Sequence, residues 1–291
     1  VYDCFTFFNE IELLKVRIEE LYDVVDYFVV TEATQTFTGE PKRLHFLDHA
    51  EEFAKYKEKI IHLIVDDFPA PTSNHYQDRW TREAFQRNAA FRGLNRCTND
   101  DIIFISDVDE IPNQQAVRQV KEYFHRVRVR GRNVRDENQW ICQLDMRLFL
   151  FFLNYEGSRG WNGAAKAAPF WMVKKMPLWN LKILHHTNPH LHQIHNGGWH
   201  FHSMVGGDNE KLALKLRSAY LYEPQKDFCF GVSNDWVANL SNVETWEGHT
   251  EDFVKWSSDN NSCQIVPVDD SYPKYILDHI EHFKDLGWLK Q

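Results

Sequence analysis

The residues best placed to do chemistry form one short run, Ile102-Ile103-Phe104-Ile105-Ser106-Asp107-Val108-Asp109-Glu110-Ile111-Pro112. Four apolar residues read as a buried strand that runs into carboxylates and is stopped by Pro112. In extended backbone, residues two apart share a face. Asp107 and Asp109 are therefore expected to project together while Val108 turns back to the core. Two hard oxygen ligands at the carboxyl end of a strand suit Mg²⁺ or Mn²⁺ and leave positions open for a diphosphate. A metal there would offset the charge of a leaving diphosphate. The competing reading is a solvated strand end.

A second cluster is Gly197-Gly198-Trp199-His200-Phe201-His202-Ser203, followed by Asp208 and Glu210 at a helix start. His200 is a candidate to complete a metal shell. Asp208 and Glu210 are candidates for a general base, although acidic residues at a helix N-terminus are also favoured by capping and by the helix dipole. The segment from His185 to His202 is rich in histidine. It permits a rival reading, a zinc-dependent hydrolase using pairs such as His190/His192 or His200/His202, though no H-E-x-x-H helix or cysteine site accompanies it. In Trp80 to Leu94, helical spacing puts Trp80, Ala84, Phe91 and Leu94 on one stripe with Arg87 inside it. A guanidinium turned inward must be paired, so Arg87 is expected to meet a ligand phosphate or an active-site carboxylate, the competing reading being a structural ion pair with an ordinary Asp or Glu.

The elements that must hold these groups read as alternating strand and helix. Val1 to Phe8 is a strand, and Ile11, Leu14, Ile18 and Leu21 mark an amphipathic helix. Val24 to Thr31 is a second strand, Thr34 to Pro41 a loop, Glu51 to Lys59 a helix and Ile60 to Val65 a third strand. This order predicts an α/β fold with a mainly parallel sheet covered on both faces, and such sheets bind ligands beyond the carboxyl ends of their strands. Further on, Gln139 to Leu153 reads as strand, Gly157 to Ala168 as a Gly/Ala-rich loop, and Tyr275, Ile276, Ile280 and Phe283 as a helix closing at Gly287. One domain over residues 1–291 is expected, with a less regular second half.

The composition limits the partners. The 291 residues carry 33 basic and 42 acidic side chains, a formal net charge of −9, which argues against nucleic acid, because such binders need a positive surface. Any phosphate must be held locally. The aromatic content of 14%, with 10 Trp and 21 Phe, fits either a sugar-facing cleft or a filled core. Trp161 and Trp199 are candidate sugar platforms on the first reading. The 5 Cys show no C-x-x-C spacing, and no apolar run approaches the ~20 residues of a membrane span. The chain starts at Val1, so any membrane anchor would precede it.

Blocks along nearly the whole chain resemble glycosyltransferase family 17. They are Phe8-Asn9-Glu10 with Leu13, Leu14 and Arg17; Leu21 with Asp23-Val24-Val25-Asp26; Phe28 to Glu32; Gly39-Glu40-Pro41-Lys42; Ile105 to Pro112; Gly198-Trp199-His200-Phe201; Lys215-Leu216 with Ser218; and Pro273-Lys274-Tyr275. The resemblance implies a GT-A-type, Rossmann-like fold, a divalent metal (Mn²⁺ or Mg²⁺), an inverting mechanism, a UDP-sugar donor such as UDP-GlcNAc and a glycan or glycoprotein acceptor. It places the nucleotide-sugar half at about residues 1–115 and the acceptor half at about 116–291. It further implies Asp107 and Asp109 as metal ligands with His200, Glu32 near the nucleotide, and Glu210, then Asp208, as the base; Arg87, from its inward position, is expected to help balance the diphosphate charge. A Golgi or secretory-pathway lumen is the expected setting, or the cytoplasm for a bacterial source. A non-catalytic sugar-binding module is the remaining alternative.

Overall fold

The computed structural model describes residues 1–129, 137–184, 191–219, 254–255 and 257–291. His185, His186, His190 and Cys229, part of the histidine and cysteine inventory, lie outside the described residues. The N-terminal half follows the expected alternation: β1 (Tyr2–Phe7), α1 (Ile11–Leu21), β2 (Tyr27–Ala33), α2 (His45–Asp48), β3 (Ile60–Val65), α3 (His75–Ala89), β4 (Ile102–Asp107), β5 (Glu110–Pro112) and α4 (Gln114–Val129). Strands β3, β2, β1 and β4 lie side by side in that order, all parallel. Each parallel crossover needs a helix or a long connection, and the short spacing between apolar runs leaves room for just that.

Helix α1 shows how sequence turns into packing. Leu14, Ile18 and Leu21 enter the main core beneath β1, whereas Leu13 and Val16 enter a second core formed with the C-terminal helices. Arg17 lies between these two faces with no exposed surface. The segment expected to be helical at Glu51 to Lys59 is a 3₁₀ helix, Ala50–Tyr56, and Phe91, placed inward by helical spacing, is 43% exposed. The α-helix ends at Ala89 and the chain tightens to 3₁₀ over Ala90–Leu94, so the 100° step no longer applies at Phe91.

The second half contributes β6 (Cys142–Leu150), β7 (Tyr155–Pro169), α5 (Phe170–Val173), α6 (Leu178–Ile183), β8 (His192–Ile194), β9 (Gly198–His202), α7 (Asn209–Ala219), β10 (Cys263–Ile265), α8 (Lys274–Asp278) and α9 (Ile280–Asp285). It extends the same sheet in the order β4-β7-β6-β9-β5, with β10 on β7 and β8 on β6. The α/β class stands, but the sheet is mixed: β7 runs antiparallel to both β4 and β6, and β5 antiparallel to β9. The largest departure from expectation is β7, a 15-residue strand where Gly157 to Ala168 reads as loop. Ala165, Ala167 and Ala168 are fully buried, so the small side chains that suggest a loop instead let a central strand lie under α5 and α6. The single C-terminal helix is two short ones, α8 and α9, meeting at His279, and the turn after α9 uses Gly287 at φ 73°.

Candidate active site

A cleft of about 670 Å³ opens beyond the carboxyl ends of β1 and β4, the position where open α/β sheets take their ligands. Its wall includes Thr6 of β1, Phe8 and Glu10 just after it, Arg87 of α3, Asp107 and Asp109, Trp161 of β7, His200 and His202 of β9, and Lys215 of α7.

Strand β4 ends at Asp107, and Val108 and Asp109 form a tight turn into β5. Val108 turns into the core, as expected, while both aspartates line the cleft. Arg17 supports this turn from below. Its guanidinium pairs with Asp3 at 2.6 Å and donates to the carbonyls of Asp107 at 2.8 Å and Glu110 at 2.8 Å and to the Ser106 hydroxyl at 2.6 Å. One buried cation thus satisfies a buried carboxylate and the backbone acceptors of a turn, the arrangement that offsets the cost of desolvating it. Position 17 carries the signal used for Arg87, an arginine on an apolar helical stripe.

The two aspartates have different surroundings. Asp107 accepts from Arg87 at 2.7 Å and faces Lys182 of α6 at 3.4 Å. Burial alone would raise its pKa, but Arg87 and Lys182 hold it well below the ordinary carboxylate range. Next to it, Glu110 is buried and takes Lys182 at 2.6 Å, the Trp161 indole N–H at 3.1 Å and the Asp107 backbone N–H at 2.9 Å. Arg87, expected to meet either a phosphate or a carboxylate, meets carboxylates: Asp107, and Glu83 at 3.3 Å.

Asp109 instead faces the imidazoles. Its carboxylate lies 3.7 Å from His200 Nε2 and 3.3 Å from the Lys215 ammonium. Asp109, His200 and His202 each bring a potential ligand atom within 4.8 Å of the others. Burial lowers the pKa of His200, and burial, followed by the neighbouring His200, pushes that of His202 down to about 3, which favours the neutral ring, the form that binds metal. His200 Nδ1 is buried with no hydrogen-bond partner among the described residues. One carboxylate and two imidazoles fit a divalent cation of the Mn²⁺ or Zn²⁺ kind. The expected pair of aspartate ligands is split: Asp107 is committed to cations, and His202 takes its place in the cluster. The pair His200/His202, expected on the zinc reading, does share one face of β9 and meets Asp109 there.

The backbone fixes this meeting. β9 lies between β6 and β5, pairing Glu110 with His200. The approach is so close that a Cβ on Gly198, at φ 141°, would sit 2.0 Å from the Ile111 carbonyl oxygen, so only glycine fits there.

The other expected residues take different places. Trp161 lines the cleft with its ring 4.7 Å from that of His200. Trp199, the other candidate sugar platform, is a core residue: it points to the opposite face of β9, into the core shared with Tyr272 and Ile276, and donates to the Ser271 carbonyl at 3.0 Å. Glu32 is fully buried, accepting from the Phe46 N–H and His62 and pairing with Lys42 at 3.5 Å; Lys42, not Glu32, reaches the cleft wall. Asp208 accepts from the Lys211 N–H at 3.0 Å, which makes it the cap of α7, and Glu210 is exposed on its first turn. Neither is part of the cleft wall, because the helix start turns them to solvent.

Residues 1–134 match Glycosyltransferase family 17. The family-17 match covers every element from β1 to α4, and with them Asp107 and Asp109. Over 121 residues the chain is 36% identical to the beta-1,4-mannosyl-glycoprotein 4-beta-N-acetylglucosaminyltransferase of Homo sapiens, and equally to those of Rattus norvegicus and Mus musculus. The matches take in 40% of this chain and 22% of the length of each relative. Among solved structures, glucosyl-3-phosphoglycerate synthase from Mycobacterium tuberculosis in complex with Mg²⁺ and UDP is similar at 14% identity and a TM-score of 0.35, over 75% of this chain and 78% of that one. No helix among the described residues is long and apolar enough to cross a membrane.

Proposed function

We propose that this chain is an inverting, metal-dependent glycosyltransferase of GT-A type that moves a sugar, GlcNAc in the first instance, from a UDP-sugar to a glycan hydroxyl. The observation that carries the reading is that the family-17 match ends its β4 strand in a cleft holding both a divalent-cation donor set and a row of paired cations. On this reading Asp109, His200 and His202 would hold Mn²⁺, which accepts imidazole donors better than Mg²⁺ does, and when bound it would stabilise the departing diphosphate. Arg87 and Lys182 fix Asp107 beside it and keep that wall of the cleft from repelling an anion. Trp161, held by Glu110 through its indole N–H, offers an aromatic face to a sugar. The acceptor oxygen forms its bond to the anomeric carbon as the bond to the diphosphate oxygen breaks, and the hydroxyl proton passes to a carboxylate of the cleft. A single displacement inverts the anomeric centre. The lumen in which glycans are built is the setting that goes with such an acceptor.

The test is a panel of UDP-sugars with N-glycan acceptors, with UDP release and product anomeric configuration measured in Mn²⁺ and in chelator. Turnover of UDP-GlcNAc to a β-linked product, abolished by chelator, is expected. Absence of turnover with every UDP-sugar would overturn the proposal, and tightly held zinc with hydrolytic activity would put the His-site hydrolase in its place.

A further inference from the structure

Lys215 belongs to a block, Lys215-Leu216 with Ser218, that nothing in the mechanism above uses. α7 delivers its ammonium to the cleft wall, 3.3 Å from Asp109 Oδ2 and 3.7 Å from Glu10 Oε1. The opposite oxygen of Asp109 faces His200 Nε2. Asp109 therefore stands between two alternatives, a tethered monovalent cation on one side and a set of neutral nitrogen donors on the other.

We infer that Lys215 is a built-in competitor of the divalent cation, which leaves Asp109 for the donor diphosphate when both ligands bind. A divalent ion on Asp109, His200 and His202 would lie within a few ångströms of the ammonium, and in a partly desolvated cleft that repulsion is weakly screened. The lysine stem is flexible and its charge compact, and it opens onto the cleft. A nucleoside diphosphate entering there gives both cations one anionic partner, so the repulsion between them becomes a shared attraction. Metal and nucleotide must then bind with positive coupling, and by linkage each raises the affinity of the other by the same factor.

This inference rests on the proposed donor class, and the experiment separates the two. Titration calorimetry measures Mn²⁺ binding with and without UDP, and UDP binding at saturating Mn²⁺, on the whole chain and on K215M and K215R. The wild type is expected to bind Mn²⁺ about tenfold more tightly with UDP present. K215M, which keeps an unbranched stem one atom shorter and removes the charge, is expected to bind Mn²⁺ about tenfold more tightly than wild type without UDP, to bind UDP about tenfold more weakly with Mn²⁺, and to show a smaller coupling. K215R, which keeps the charge, should retain the coupling. A general loss of structure would weaken both ligands together, so the opposite signs in K215M identify the competitor. If the wild type binds UDP with Mn²⁺ and K215M behaves identically, or if K215M binds Mn²⁺ more weakly, the inference is overturned and the donor class stands. If the wild type binds no UDP at any Mn²⁺ concentration, both fall.

Discussion

Asp107 and Asp109 are two residues apart on one turn, yet they live in different electrostatic worlds. The Asp107 side is closed by ion pairs rather than by burial, its side chain 37% exposed: Arg87 lies at 2.7 Å, Lys182 between Asp107 and Glu110, and the turn carbonyls are pinned by Arg17. Contacts on the Asp109 side are longer, 3.3 Å to Lys215 and 3.7 Å to His200, with neutral imidazoles and an orphaned nitrogen among them. Fully paired charges hold a shape, whereas loosely paired ones are free to exchange partners. The family-17 match supplies the first side entirely apart from Lys182, and the second half of the chain supplies nearly all of the other.

That comparison breaks most completely where both sides share a foundation. Arg17→Met leaves Asp3 buried without its partner and the turn carbonyls without their donor. It should cost about 3–5 kcal/mol, the usual toll of breaking a buried pair, read as a lower urea midpoint, and it should remove Mn²⁺ binding and activity together.

The next effect separates the two sides. Asp109→Asn or His202→Gln should weaken Mn²⁺ binding by more than tenfold in calorimetry with little change in melting temperature, while Asp107→Asn should do the reverse, keeping Mn²⁺ affinity within about threefold and lowering stability. Equal effects of the two aspartates on Mn²⁺ affinity would erase the distinction.

A smaller contrast concerns the tryptophans. Trp161→Phe should raise the acceptor KM severalfold, since it faces the cleft, and should also lower stability by about 1–3 kcal/mol, because the buried Glu110 loses its indole donor. Trp199→Phe should lower stability by about 1 kcal/mol, through the lost hydrogen bond and packing, and leave KM alone.

The least effect is a pH dependence on the closed side. Lys166 of β7 is buried and donates to the Lys182 carbonyl at 2.8 Å, and burial, with Lys182 close by, brings its pKa down to about 7. Between pH 7 and the ordinary lysine pKa near 10.4, the unfolded chain binds the extra proton and the folded one does not, so folding stability contributed here rises with pH. Lys166→Met removes this term. Urea titrations at pH 7 and 9.5 should show wild type gaining stability relative to the variant; a constant difference would mean that Lys166 stays charged when folded.

The N-terminal half was legible because its signals are local. Apolar runs of strand length, the stripe of α1 and the end of β4 at Asp107 each depend on neighbours in sequence, and an inward Arg87 follows from helical geometry alone. The same logic covers Arg17, which shows that the rule held beyond the place it was applied. What escaped depends on non-local pairing. Gly and Ala in β7 read as breakers until β4 and β6 close on either side of them. Trp199 and His200 differ only in which face of β9 each one takes, and that is settled by pairing with β5 and β6. Lys182 and Lys215 sit on ordinary-looking helices, and nothing in their own segments points to Asp107 and Asp109, more than 70 residues away.

The position of β7 also has a bearing on synthesis. During translation β4 emerges long before β7, which covers its free edge, and β5 waits still longer for β9. An apolar edge left open in this way is a template for pairing with another chain. A truncated product ending after α4 would therefore carry both aspartates of the turn and none of the imidazoles, and it would be a sticky fragment rather than a small version of the enzyme.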